Sequence, residues 1–128
     1  MKALLDTHAF LWWMTDDRRL SSLAREVIGS PETELFFSAA SAMELAIKVK
    51  AGKLQVPESV PQYVKSRMAL HSIQGLPVTV DHALHVYTLP DHHRDPFDRI
   101  LIAQSQLERL PILTADRGIA RYAVEVIW

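Results

Sequence analysis

Short apolar runs alternate with longer helical patterns along this chain. Four runs have the length and apolar composition of buried strands. They lie at residues 3–5, 35–37, 112–114 and 124–127. A weaker run at residues 76–78 contains Pro77, which cannot donate a hydrogen bond to a strand ladder and would confine this segment to a sheet edge. The pattern therefore predicts a sheet of short strands with residues 76–78 at its border.

Between these runs, apolar residues recur at helical spacing, which predicts six helices and one helical turn. The helices are predicted at residues 7–14, 21–28, 41–52, 59–71, 82–89 and 96–107, and the turn at residues 119–122. Strands that alternate with helices indicate a three-layer α/β/α fold around a mostly parallel central sheet. A length of 128 residues suits one domain, spanning residues 1–128, and is too short for two.

The stretch before the last long helix is rich in acidic residues. Three aspartates, Asp91, Asp95 and Asp98, fall within eight residues. Asp95 followed by Pro96 predicts a helix start, with Asp95 as N-cap and Pro96 at the first helical position. Asp98 then falls in the first turn, near the positive end of the helix dipole. Capping chemistry explains both acids, and it leaves open whether either one also takes part in a reaction.

Composition narrows the possible chemistry. The chain has no cysteine, which excludes disulfides and thiolate-based zinc or redox sites, and this absence suits a reducing compartment. A net charge of -1 provides no large basic field for tight, nonspecific DNA binding. The start of the chain does not resemble a signal peptide, and no run reaches the roughly 18 apolar residues that a membrane span needs. We therefore expect a cytoplasmic protein with no membrane association.

Four acids are predicted to meet at one edge of the sheet. Asp6 directly follows the first strand, Asp116 lies two residues after the run at 112–114, and Glu44 and Asp98 are placed in the first turns of their helices. Ligands of open parallel sheets bind beyond the carboxyl ends of the strands. Carboxylates packed together repel one another, and a hard cation with oxygen ligands relieves that repulsion. The set predicts a Mg²⁺ or Mn²⁺ site, whereas the histidines show no zinc spacing.

Each acid taken alone also has an ordinary structural explanation. Asp6 and Asp116 are typical turn residues. Glu44 completes an S-x-x-E capping box with Ser41, and Asp98 is a favourable partner for the helix dipole. Only their joint position at one edge favours a functional site.

Four segments carry a family resemblance. They are LLDTH at residues 4–8, SAASAMEL at 38–45, DPFDRILIAQ at 95–104 and LTAD at 113–116. In order and spacing they resemble the PIN-domain family, and most closely its VapC-type toxin ribonucleases. The resemblance covers essentially the whole chain, and it implies an α/β/α nuclease whose acidic cluster binds Mg²⁺ or Mn²⁺ and cleaves RNA.

The resemblance also assigns roles to residues and implies partners. Asp6, Glu44 and Asp98 match the three principal acids of the family, Asp116 matches a fourth, and Thr114 matches a small hydroxyl position beside it. Toxins of this group usually form dimers and are held inactive by a cognate antitoxin. The resemblance therefore implies a metal-dependent endoribonuclease, the toxin of a type II toxin–antitoxin pair, that acts on RNA as a homodimer.

Substrate contacts are also predicted from the sequence. Thr114, Arg99 and Arg117 are candidates to bind the RNA substrate, and Lys48 and Arg94 could also guide its backbone. Solvated surface charge is the better explanation of each cation taken alone. The family pattern assigns no role to the pair His92 and His93, which could stack on a base, shuttle a proton or have no function.

Two other functions remain open from the sequence. An aspartyl-nucleophile phosphatase or phosphotransferase also has an aspartate after its first strand, but it commonly has a second two residues later, where this chain has His8. A catalytically inactive domain of the same fold, which only binds RNA or a protein, is the other alternative. The complete set of four acids argues against such a module, because clustered like charge is unfavourable without a cation.

Overall fold

The computed structural model describes residues 1–128 and contains one five-stranded sheet. The strands are β1 (Lys2–Leu5), β2 (Glu34–Ser38), β3 (Gln74–Leu76), β4 (Ile112–Leu113) and β5 (Val126–Ile127). Their order in the sheet is β3-β2-β1-β4-β5, and all four neighbouring pairs are parallel. The predicted α/β fold is confirmed, and the sheet is parallel throughout.

Six helices connect the strands. They are α1 (Thr7–Met14), α2 (Ser22–Gly29), α3 (Ala39–Lys50), α4 (Val60–Leu70), α5 (Val80–His85) and α6 (Pro96–Glu108). Short 3₁₀ turns at Val86–Thr88 and Ile119–Arg121 complete the structure. The helix predicted at residues 82–89 starts two residues earlier, because Thr79 caps it, and its last part is the first of these 3₁₀ turns. None of the helices combines the length and the apolar character that crossing a bilayer requires.

Alternating side chains on β1 pack into two separate cores. Leu5 lies in one buried cluster with residues of α1 to α4, whereas Leu4 lies in a second cluster with Leu101 and Ile102 of α6. Successive side chains of a strand point to opposite faces of the sheet, so the two clusters lie on its two sides. Leu4 and Leu5 are both fully buried, as expected for a central strand covered on both faces.

The last strand begins two residues later than predicted, at Val126, and two further details of the sequence prediction are wrong. The edge strand lies at Gln74–Leu76 and not at residues 76–78, so Pro77 follows the strand instead of interrupting it. The helix predicted to open with a capping box at Ser41 begins two residues earlier, because the hydroxyl of Ser38 accepts a hydrogen bond from the Ala40 N–H at 3.0 Å. Glu44 consequently lies in the second turn of α3 and makes no capping box.

The topology of the sheet creates a crevice between β1 and β4. From β1 the chain first adds β2 and β3 on one side, and it then returns to add β4 and β5 on the other. Leu5 of β1 is in register with both Phe37 of β2 and Leu113 of β4, so β1 and β4 end at the same level and β2 continues one residue further, to Ser38. Such a switch point at the carboxyl edge is where parallel α/β sheets bind ligands. Asp6 and Thr114 are the first residues beyond this edge.

Candidate active site

Asp6 links the end of β1 to the start of α1. As the N-cap of α1, it accepts a hydrogen bond from the Ala9 N–H at 2.6 Å, and only 6% of the residue is exposed. Burial raises the pKa of its carboxyl, against the opposing effects of hydrogen bonds from Thr114 and Ala9. The nearby charge of Asp116 also raises this pKa, which places two of the four acids within electrostatic range of each other.

Asp98 is positioned by the cap of α6. The Oδ1 atom of Asp95 accepts hydrogen bonds from the N–H groups of Phe97 at 2.8 Å and Asp98 at 3.2 Å, as the sequence predicts for an N-cap. The pKa of the Asp98 carboxyl is raised to about 7, chiefly by burial and also by the charges of Asp95, Glu44 and Asp116, while His93 acts in the opposite direction. Asp98 is therefore a half-buried acid surrounded by like charge.

Asp116 closes the turn after β4. Its Oδ1 atom accepts hydrogen bonds from the N–H groups of Gly118 at 2.7 Å and Ile119 at 3.3 Å. Burial acts to raise the pKa of this carboxyl, but the hydrogen bonds from His93 and Gly118 outweigh burial and lower it. The backbone N–H of Asp116 donates to Thr114 Oγ1 at 3.0 Å. Thr114 is only 1% exposed, and its hydroxyl is hydrogen-bonded to the Asp6 carboxyl and to the Asp116 N–H, so it connects these two acids.

Glu44 reaches the site from α3 and has two hydrogen-bond partners of its own. The hydroxyl of Thr7 donates to Oε1, and the ammonium of Lys48 donates to Oε2 at 2.8 Å. This ion pair raises the pKa of Lys48, chiefly through the hydrogen bond to Glu44. Lys48, a candidate to guide RNA, thus directs its charge at an acid of the site.

His93 is a member of the site to which the sequence assigned no role. Its Nε2 atom lies 3.1 Å from Oδ2 of Asp98 and 3.1 Å from Oδ2 of Asp116. The three potential ligand atoms lie within 4.8 Å of one another, whereas Asp6 and Glu44 are outside this tight group. The signal in the sequence is a histidine two residues before an N-cap, a position from which a side chain can fold back over the first helical turn.

The two arginines that sequence analysis selected for RNA binding have different environments. Arg99 donates hydrogen bonds to the carbonyls of Val86, Leu89, Pro90 and His93 and to the Tyr122 hydroxyl, at 3.0 to 3.4 Å. Only 14% of its side chain is exposed, so its guanidinium is committed to holding residues 86–93 against α6. Arg117 is exposed and adjoins Asp116, and it stays a candidate RNA contact.

The site is suited to a hard divalent cation. Oxygen is the donor atom of all four acids, and the buried Asp6 and the half-buried Asp98 both have raised pKa values. Mg²⁺ and Mn²⁺ prefer carboxylate oxygens. A cation bound there would stabilise the ionised forms of the acids, which burial and mutual repulsion oppose.

A substitution at Asp95 tests whether this residue acts as a helix cap, a role that differs from that of Asp98. Asp95→Ala should lower the free energy of unfolding by about 1 kcal/mol, the usual cost of losing an N-cap, because the N–H groups of Phe97 and Asp98 lose their acceptor. Urea unfolding measures the loss. The matched variant Asp95→Ser retains a capping oxygen and should keep most of the stability; equal losses in the two variants would contradict the capping role.

Known sequences resemble this chain over most of its length. The family model for the PIN domain matches residues 3–125. The ribonuclease VapC22 of Mycobacterium tuberculosis is 30% identical over 117 residues, which cover 91% of this chain and 88% of that protein.

Solved structures share the fold. A structure of VapBC2 from Rickettsia felis, bound to a DNA fragment from their promoter, gives a TM-score of 0.71 at 11% identity, over 98% of this chain and 97% of that one. A toxin–antitoxin complex from Klebsiella pneumoniae gives 0.65 at 22% identity, over 98% and 96% of the two chains. Because the family model spans nearly the whole sequence, the chain belongs to the PIN-domain family.

Proposed function

We propose that this protein is a Mg²⁺- or Mn²⁺-dependent endoribonuclease and the toxin of a type II toxin–antitoxin pair. The observation that carries the proposal is Asp98, a half-buried carboxyl whose pKa rises to about 7 at the carboxyl edge of the sheet, close to three other acids. The relationship to ribonuclease VapC22 and the match to the PIN domain support the nuclease assignment.

The four acids have distinct roles in this proposal. Asp6 and Asp98 hold the cation, and Asp116, which is more exposed, orients the attacking water or a second ion. Glu44 assists from α3, where Thr7 and Lys48 fix its carboxylate. A bound divalent cation supplies positive charge that stabilises the phosphodiester during cleavage.

The proposed RNA path crosses the basic residues near the acids. Arg94 and Arg117 are exposed and flank the loops that carry His93 and Asp116. Exposed guanidinium groups pair readily with phosphate oxygens. Arg99 is left out of this path because its donors already bind backbone carbonyls.

A cognate antitoxin is the proposed protein partner. Two solved structures with this fold are toxin–antitoxin complexes, which supports the idea. A basic side chain of the antitoxin would complement the acidic crevice at the end of β1. A homodimer belongs to the same proposal and rests on the family resemblance.

The two alternative functions, an aspartyl phosphatase or phosphotransferase and an inactive binding module, are less well supported. In an aspartyl phosphatase Asp6 would be the nucleophile, yet its Oδ1 atom already accepts the Ala9 N–H and the residue is 6% exposed. An inactive binding module would gain nothing from burying Asp6 and Asp98 so close to other acids.

Cleavage of RNA by the purified chain tests the proposed function. We expect single-stranded RNA to be cut in Mg²⁺ or Mn²⁺, to stay intact in EDTA, and to be cut again when the ion is restored in excess. RNA that is bound but never cut with either ion would contradict the proposal and favour the binding module. Cleavage that continues undiminished in EDTA would contradict the role of the cation.

A further inference from the structure

The imidazole of His93 connects two acids that come from different parts of the fold. Asp98 is on the first turn of α6, and Asp116 is in the turn after β4. The Nε2 atom of His93 is 3.1 Å from an oxygen of each. No other side chain forms a hydrogen bond or ion pair with both carboxylates, so this ring is the direct link between the two elements at the edge of the crevice.

Contacts from several elements fix the position of this ring. The backbone N–H of His93 donates to the Tyr122 hydroxyl at 2.8 Å, and its carbonyl accepts from Arg99 at 3.1 Å. The Nδ1 atom accepts the N–H of Asp95 at 3.2 Å. The ring also packs over Gly118, where an added Cβ would lie only 2.8 Å from its Cδ2 atom. Together these contacts hold the ring beside the two acids.

The hydrogen bond to Nδ1 determines which ring nitrogen carries the proton. An N–H group can donate only to an unprotonated nitrogen, so the N–H of Asp95 requires Nδ1 to act as an acceptor. A neutral imidazole then carries its proton on Nε2, which lies between Asp98 and Asp116. Nε2 is therefore the donor of the hydrogen bond to Asp116, and its N–H also lies in ion-pair contact with Asp98, so it offers no lone pair to a metal ion in this arrangement.

We propose that His93 is a positioning residue that holds the Asp98 and Asp116 carboxylates at the spacing a divalent cation requires. The inference rests on the proposed function, because it concerns the same site. A carboxylate oxygen has more than one lone pair, so it can accept the N–H of His93 and still contact a cation. Removing a group that orients a metal-binding carboxylate typically lowers metal affinity or activity by about 10–100-fold.

Two substitutions at His93 separate the functions of the two ring nitrogens. In His93→Gln, the side-chain amide nitrogen takes the place of Nε2 and can still donate to Asp116 beside Asp98, whereas the acceptor for Asp95 is lost. In His93→Asn, the side-chain oxygen takes the place of Nδ1 and can still accept from Asp95, whereas the donor to Asp116 and the contact with Asp98 are lost. Each variant loses one side of the ring, so the pair controls for a general loss of packing.

Binding of Mn²⁺, followed by electron paramagnetic resonance, measures the effect without relying on activity. We expect His93→Asn to bind Mn²⁺ about 10–100-fold more weakly than the parent, the range usual for lost orienting groups, and His93→Gln to stay close to the parent. Thermal unfolding of the metal-free variants shows whether each is folded under the conditions of the titration. Pulsed measurements on the parent should detect no directly coordinated imidazole nitrogen.

Specific results would overturn the inference. Parent-like affinity in both variants would show that His93 does not position the acids, and equal weakening in both would show that the Nε2 donor is not the operative group. A directly coordinated nitrogen that disappears in His93→Gln would make His93 a ligand instead. A parent that binds no Mn²⁺ would contradict the proposed function itself, which distinguishes that failure from the failures at His93.

Discussion

Replacing Asp98 with asparagine is expected to abolish RNA cleavage and to leave the fold intact. Asparagine keeps the size of the side chain, and the cap at Asp95 that positions this residue is unchanged. The carboxylate charge at the cation site is lost, and a cation contributes several kcal/mol to the stabilisation of a cleaving phosphodiester, so we expect a fall of at least about 100-fold in rate. The rate of cleavage in excess Mg²⁺ measures the effect.

The same variant should show an altered dependence of stability on pH in the metal-free state. The pKa of Asp98 rises from 3.8 to about 7 on folding, mainly through burial, so folding favours its protonated form. Its contribution to stability is therefore complete below pH 3.8 and is lost as the pH rises to about 7. Asp98→Asn lacks this loss, and its unfolding midpoint at pH 8 in EDTA should equal or exceed that of the parent.

A nearby aspartate provides the control for this substitution. Asp91 lies in the same loop region and its side chain is fully exposed. Asp91→Asn should change neither cleavage nor the pH dependence of unfolding. Parent-like cleavage by Asp98→Asn would contradict the assignment of Asp98, and an unfolded Asp98→Asn variant would contradict the separation of its function from the fold.

Replacing Arg99 with alanine is expected to cause the largest loss of stability among the residues of the site. The side chain is mostly buried and donates to four backbone carbonyls and to the Tyr122 hydroxyl. Acceptors left without partners each cost about 1–3 kcal/mol, so a total loss of roughly 3 kcal/mol or more in the free energy of unfolding is expected. Urea denaturation measures this loss directly.

Two matched variants define the role of Arg99. Arg99→Lys keeps the charge but lacks the planar fork that serves several acceptors, so it should also be destabilised. Arg117→Ala removes an exposed arginine and should change stability by no more than about 0.5 kcal/mol, as is usual for surface sites. If Arg99→Ala were as stable as the parent and only weakened RNA binding, Arg99 would be a substrate contact after all.

Local chemistry made much of the fold predictable. The pairing of Asp95 with Pro96 located the start of α6 correctly, because a side-chain cap and a fixed proline φ act within a few residues. The apolar runs located the central strands correctly because a strand that is buried on both faces is apolar along its length. The start of α3 was misplaced because Ser38 and Ser41 are equally good caps in sequence, and only the end of β2 at Ser38 selects the first.

The candidate site was less predictable because it depends on distant contacts. The order of strands and acids indicated that Asp6, Asp98 and Asp116 approach one edge. The position of His93 depends on Gly118 and Tyr122, which follow it by 25 and more residues and show no pattern that links them to it. Arg99 looks like a surface cation in sequence, and only the path of residues 86–93 around it reveals its carbonyl partners.

Binding of Mn²⁺ to the parent and to Asp6→Asn, measured by calorimetry, tests the central claim most directly. Asparagine caps helices as well as aspartate does, so this variant should retain α1 while losing the buried charge at the end of β1. If the four acids form a cation site, the parent should bind Mn²⁺ measurably and Asp6→Asn should lose this binding. A parent that binds no Mn²⁺, or equal binding by the two proteins, would contradict it.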